Sequence, residues 1–170
     1  MFKSGKHGMM RKDNVSMKIL FVCTGNTCRS PMAAALMRRE LDKRGRLDIM
    51  IESAGLAAFG EPANPNAVQA VSELDEKYAQ PLRQHRSRSV SAHLLEQADL
   101  IAVMSKSHAA AIVGRGVNPE KVHILSAIGG EGIGDPYGGD IDIYRLTRHQ
   151  LEKAVACLAD TLLTGRIDEK

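Results

Sequence analysis

Val22-Cys23-Thr24-Gly25-Asn26-Thr27-Cys28-Arg29-Ser30-Pro31 is the stretch whose flanks decide the fold. Before it, residues 17–23 (MKILFVC) form a short, nearly continuous apolar run, as expected of a strand buried on both faces of a parallel sheet. After it, Pro31 sits where a first helical residue is expected. Met32, Leu36, Met37 and Leu41 then recur at helical spacing, and Gly45 closes the segment. Strand, polar loop and helix in that order put the loop at the carboxyl edge of a sheet, where doubly wound folds hold their ligands.

The same alternation continues outward. Residues 47–55 read as a second strand, and Asn64-Pro65 supplies a cap and a first-turn proline for a helix to about Ala79. Ser91 caps a short helix to Ala98, and residues 99–104 (DLIAVM) form a third apolar strand. Ser105 then caps a helix ending near Gly114 to Gly116. Residues 121–126 (KVHILS) are the expected fourth strand. A glycine-rich loop, residues 129–140, follows, and a long helix starts at about Ile141 with Tyr144, Leu151, Val155, Leu158 and Leu162 on its apolar stripe. The pattern predicts a single-domain α/β fold, a three-layer α/β/α sandwich around a four-stranded parallel sheet, spanning residues 17–170.

Composition narrows the function. A chain of 170 residues fits one domain of ordinary size (roughly 100–200 residues). No apolar run approaches the roughly 18–20 residues of a membrane helix, so no membrane partner is expected. Three cysteines are too few for a disulfide scaffold and point to a reducing, cytoplasmic setting. The formal charge of +3 resides in residues 1–16, where Lys3, Lys6, Arg11 and Lys12 face Asp13 alone. Residues 17–170 are formally neutral, and aromatic residues make up only 4% of the chain, so no nucleic-acid partner is expected. Residues 1–16 lack the apolar stretch of a signal peptide and are expected to be a disordered extension, with Met17 a candidate natural start.

The loop carries the chemistry. Backbone N–H groups without helical partners, at a helix N-terminus, form a cradle for an anion. Gly25 and Asn26 are residue types that tolerate the positive φ such a loop requires. Cys23, with five residues between it and Arg29, adds a nucleophile, and the donors that hold phosphate also stabilise a thiolate. Arg29 can grip two phosphate oxygens and neutralise charge in transfer. Ser30 is placed to hydrogen-bond the Cys23 sulfur and ease its departure, so a phosphocysteine route is feasible. Thr24, Thr27 and Cys28 complete the loop. No Gly-Lys-Ser/Thr ending is present, which separates it from nucleotide-binding loops. Asp135-Pro136-Tyr137 follows the fourth strand and belongs at the same sheet edge. It supplies either the proton donor for the leaving group or merely the start of a turn.

These residues resemble the low-molecular-weight protein tyrosine phosphatases, whose hallmark loop matches Val22 to Pro31. Ser53-Ala54-Gly55, His85-Arg86-Ser87-Arg88 and Asp135-Pro136-Tyr137 match in order, so the resemblance covers residues 17–170. It implies Cys23 as nucleophile, Arg29 as phosphate ligand, Asp135 as general acid and then base, and Asn26, Ser30, Ser53 and His85 in support. No cofactor or metal is implied. Cys23 and Cys28 are not at a metal-binding spacing, and no histidine pair completes a site.

Within that family, Thr27 and the run Gly138-Gly139-Asp140-Ile141-Asp142-Ile143-Tyr144 resemble the protein arginine phosphatase branch. Tyrosine-specific members typically carry a larger aliphatic residue at the Thr27 position and often a second aromatic at the Gly138 position. Phosphorylated proteins are thus the expected substrates, bearing phosphoarginine, with phosphotyrosine the alternative; Tyr137 is expected as an aromatic pocket wall. Arsenate reduction on the same fold would need further redox cysteines near the third helix, and residues 80–100 contain none.

Several residues keep two readings. Cys28 is either a resolving thiol for Cys23 or a small packed cysteine. Cys157 reads as a core residue of the last helix. His7, His93, His108, His123 and His149 have no evident partner and read as surface or core. Phe59 is a candidate for the substrate rim.

Overall fold

Alternate side chains of β1 (Met17–Cys23) enter two different cores, which is why its sequence is apolar almost throughout. Ile19, Phe21 and Cys23 face a large cluster, whereas Leu20 and Val22 face a smaller one on the opposite side. The computed structural model describes residues 15–165. The expectations for residues 1–14, His7 included, lie outside the described residues.

β1 pairs in parallel with β2 (Ile49–Gly55) on one side and β3 (Leu100–Val103) on the other, and β3 pairs with β4 (Val122–Ile124). The order is therefore β2-β1-β3-β4, all parallel. One face is covered by α1 (Arg29–Lys43), α2 (Pro65–Ser72), α3 (Glu76–Arg83) and α7 (Ile141–Thr164). The other is covered by α4 (Ala92–Gln97) and α5 (Lys106–Val113), and a four-residue helix, α6 (Leu125–Ile128), follows β4. This is the three-layer α/β/α fold with four parallel strands that the sequence predicts. β1 and β3 lie side by side although β2 intervenes in the chain, and this switch in strand order opens a crevice at the carboxyl end of β1.

Strands β2 and β3 are shorter than expected by two residues each, and three further boundaries differ for clear reasons. α1 begins at Arg29 and not at Pro31, because Met32 N–H already bonds to the Cys28 carbonyl and the arginine lies within the first turn. The helix expected from Pro65 to about Ala79 is two helices: the Asp75 side chain accepts from Lys77 N–H and caps α3 after α2 has ended at Ser72. The fourth strand is only three residues long, since Leu125 turns into α6 once pairing with β3 ends. Tyr144, Leu151, Val155 and Leu158 of α7 are fully buried as expected, with Leu162 at the margin.

Candidate active site

The turn from β1 into α1 wraps around the Cys23 sulfur. Asn26 adopts φ 55°, the left-handed region, and this bends the chain so that its own N–H donates to Cys23 Sγ at 3.2 Å. Gly25 has no such φ; the strained position is Asn26 alone. Ser30 Oγ lies 2.9 Å from the same sulfur. Asn26 Nδ2 donates to Ser30 Oγ at 2.9 Å, so the serine keeps its own proton for the sulfur, which is closer than the Ala54 carbonyl at 3.4 Å. The N–H groups of Gly25, Thr27, Cys28, Arg29 and Ser30 find no acceptor among the described residues, as a cradle built for an anion requires.

Asn26 is fully buried and every polar group of its side chain is used. Nδ2 also reaches Ser53 Oγ at 3.0 Å, and Oδ1 accepts from Arg88 N–H at 3.0 Å. Its carbonyl accepts from His85 Nε2 at 2.7 Å, which makes Nε2 the protonated ring nitrogen. Burial, with the charges of Arg88, Arg38 and Arg86, pushes the His85 pKa down, so the ring is held neutral. Ser53 and His85 therefore brace the loop from behind. Gly55 is required there: a Cβ would come within 2.6 Å of the Thr24 carbonyl oxygen.

In front of the loop is a cavity of about 560 Å³ lined by Cys23, Thr27, Arg29, Asp135, Phe59 and Tyr137, among others. Asp135 does both things its sequence allows. Oδ1 accepts from Tyr137 N–H at 3.2 Å and shapes the turn, while Oδ2 receives Arg29 Nη2 at 3.1 Å. Tyr137 and Phe59 stand at the mouth, 80% and 83% exposed, as two free aromatic faces. Gly138 is not part of the wall. Its φ of 78° explains the glycine through the turn and not through the pocket.

Cys28 is buried, with Tyr144 Oη at 3.2 Å and Thr27 Oγ1 at 3.6 Å from its sulfur. Burial raises its pKa, so at neutral pH it is a protonated thiol. Cys157 is exposed, contrary to the core position expected for it. Among the described residues no group of three or more His, Cys, Asp or Glu side chains is placed to hold a metal, and no helix is long and apolar enough to cross a membrane.

Sequence reasoning missed three contributors. Glu61 lines the cavity and ties its loop to Ser87 at 2.6 Å. The Tyr144 hydroxyl meets Cys28, where only an apolar role was expected. His108 is not partnerless, since its Nε2 lies 2.9 Å from Thr24 Oγ1. For His108 a signal existed: it follows the strand that neighbours β1.

Residues 18–166 match the family model for low molecular weight phosphotyrosine protein phosphatase. The chain belongs to this family. As a low molecular weight phosphatase it is a cysteine-dependent hydrolase of phosphorylated proteins. It is 40% identical to the protein-arginine-phosphatase of Bacillus subtilis (strain 168), over 88% of this chain and 99% of that one. It is 34% identical to the low molecular weight protein-tyrosine-phosphatase PtpB of Staphylococcus haemolyticus (strain JCSC1435), over 79% of this chain and 92% of that one. Among solved structures it resembles the YwlE arginine phosphatase in a Cys-to-Ser variant with a phosphorylated active-site serine: TM-score 0.74, 38% identity, 88% of this chain and 98% of that chain covered.

Proposed function

We propose that this phosphatase, through a unit comprising residues 17–170, hydrolyses phosphoarginine in proteins by way of a phosphocysteine at Cys23. The observation that carries this reading is the pairing of a hydroxyl with a carboxylate at the cavity: half-buried Thr27 on the wall and Asp135, joined to Arg29, lining the same cavity as Cys23. A phosphoguanidinium offers N–H donors that a phenyl ring lacks. Asp135 and Thr27 can accept them, and Tyr137 and Phe59 can stack on the planar group. The similarity to two proteins named as arginine phosphatases, from Bacillus subtilis and Geobacillus stearothermophilus, supports the same substrate.

In the proposed chemistry the Cys23 thiolate attacks phosphorus in line with the P–N bond. Arg29 and the loop N–H groups neutralise the equatorial oxygens. Asp135 gives its proton to the departing guanidine nitrogen as the P–N bond breaks. The resulting carboxylate takes a proton from water, whose oxygen attacks the phosphocysteine. The S–P bond breaks, inorganic phosphate leaves and the thiolate returns, steadied by Ser30 and the Asn26 N–H.

The test is kcat/KM for matched phosphoarginine and phosphotyrosine peptides, with Cys23→Ser as the blank. Preference for phosphoarginine is expected. Preference for phosphotyrosine would retain the mechanism and refute the substrate.

A further inference from the structure

β3 lies beside β1 with Val103 opposite Val22, so the residues that leave β3 emerge next to those that leave β1. Leaving β1 is Thr24, the residue directly after Cys23. Leaving β3 is Ser105, which caps α5, and one turn into that helix is His108. The side chain of His108 is folded back into the gap, leaving the residue only 6% exposed. Both ring nitrogens are engaged: Nε2 lies 2.9 Å from Thr24 Oγ1 and Nδ1 lies 2.7 Å from Ser105 Oγ. Ser105 Oγ is in turn 2.8 Å from Ser107 Oγ at the exposed start of α5.

Thr24 has no other side-chain partner among the described residues, while its carbonyl accepts from Ala57 N–H at 2.9 Å. Thr24 is thus held by its carbonyl on the extension of β2 and by its side-chain hydroxyl on His108. We propose that His108 is a positioning residue of the phosphatase: by holding Thr24 it sets the first peptides of the phosphate loop, and with them the N–H groups that receive the phosphate. It touches neither phosphate nor sulfur and acts through Thr24.

A purely structural histidine would sit indifferent to the site, but this one lies within reach of its charges. Burial foremost, and then Arg29, lower the His108 pKa, with Asp135 opposing them, so the ring is kept neutral behind a loop that is about to receive an anion. A neutral ring supplies one donor and one acceptor. This suffices to link two hydroxyls into a directed chain from Thr24 to Ser105. The inference rests on the reading that residues 23–30 bind the phosphate.

The experiment compares wild type, His108→Ala, His108→Gln, Thr24→Val and the double variant His108→Ala/Thr24→Val. Inhibition by inorganic phosphate and kcat/KM on a phosphopeptide are measured well below each melting temperature. A glutamine amide reaches where Nε2 lies, so it preserves the Thr24 contact and gives up the Ser105 one. Loss of one hydrogen bond that orients the loop is expected to weaken phosphate inhibition and kcat/KM by roughly tenfold in His108→Ala. His108→Gln should recover most of both, and the double variant should be no worse than Thr24→Val alone. Where His108→Ala does not fold, His108→Leu keeps the volume, removes both ring nitrogens and carries the same expectation. Unchanged phosphate inhibition in the His108 variants, or losses that multiply in the double variant, would overturn the proposal. A wild-type enzyme that phosphate does not inhibit would instead overturn the loop reading beneath it.

Discussion

The Asp135 carboxylate and the Arg29 guanidinium are joined at 3.1 Å across the mouth of the loop, one side chain 55% exposed and the other 9%. The proposed proton donor is therefore tethered by the proposed phosphate ligand. A phosphoryl group entering the cradle takes up Arg29 and leaves Asp135 facing the leaving group. One ion pair links occupancy of the phosphate site to placement of the acid.

Asp135→Asn separates the two tasks. The amide cannot deliver a proton, so kcat is expected to fall by about 10²–10⁴. Removing a negative charge beside Arg29 leaves phosphate binding intact or tightens it. Steady-state kinetics with inorganic phosphate as competitor checks both. Undiminished kcat would remove Asp135 from the role of acid.

Thr27→Ile tests the pocket wall. Thr27 is half-buried on the cavity, and among the described residues its hydroxyl reaches only the Cys28 sulfur, at 3.6 Å. Replacing it by an aliphatic branch removes a polar contact for a guanidinium and offers a surface for a phenyl ring. The ratio of kcat/KM for phosphotyrosine over phosphoarginine is expected to rise at least about tenfold, the equivalent of about 1.4 kcal/mol in transition-state binding. An unchanged ratio would place selectivity elsewhere.

Asn26 combines backbone strain with three side-chain hydrogen bonds, to Ser30, Ser53 and the Arg88 N–H. At about 1 kcal/mol per bond and about 1 kcal/mol for a left-handed φ, Asn26→Ala is expected to cost about 3–4 kcal/mol. Asn26→Gly, which relieves only the φ, should cost about 1 kcal/mol less. Denaturant melts of both variants, read with kcat/KM, check the split. Equal losses would show that the φ is not the cause.

Stability should fall in acid in two stages. His85, His108 and His123 all have pKa values below 6.5, chiefly through burial. As pH drops through about 6.5 the unfolded chain takes up protons that the folded one refuses, so unfolding is favoured. Carboxylates act lower down. Glu73, held to about 2 by its hydrogen bonds from Arg145, stabilises the fold above about pH 4.5, and that contribution is lost as pH falls toward 2. Melting temperature against pH should therefore decline below about 6.5 and more steeply below about 4.5. A flat profile between 7 and 5 would contradict the buried-histidine account.

The loop proposed to carry catalysis is legible in the sequence because Cys23, Arg29 and Ser30 lie within eight consecutive residues, between an apolar run and a helix start. Strands buried on both faces announce themselves by unbroken apolarity, so β1 and β3 are readable nearly to the residue. Helix ends are less so. Leu74 continues the apolar pattern past the end of α2, and only the Asp75 cap reveals the break. Leu125 likewise extends the apolar run of β4 although the chain has already turned.

The supporting contacts of the site are mostly illegible, for a physical reason. His108 lies 84 residues from Thr24, and only the adjacency of β1 and β3 brings them together. The Tyr144 hydroxyl meets Cys28 across 116 residues, while the period of α7 reports only that the ring is buried. Gly138, which marks the branch in the sequence, sits in the structure as a turn glycine with φ 78°.

The most direct test of the central claim is a single-turnover experiment in which wild-type enzyme, in excess over a peptide carrying labelled phosphoarginine, is quenched rapidly in denaturant. Label should appear transiently on the protein and map to Cys23, with Cys23→Ser forming no thiophosphate. Loss of label from the peptide with none captured on Cys23, or label captured on another residue, would contradict it.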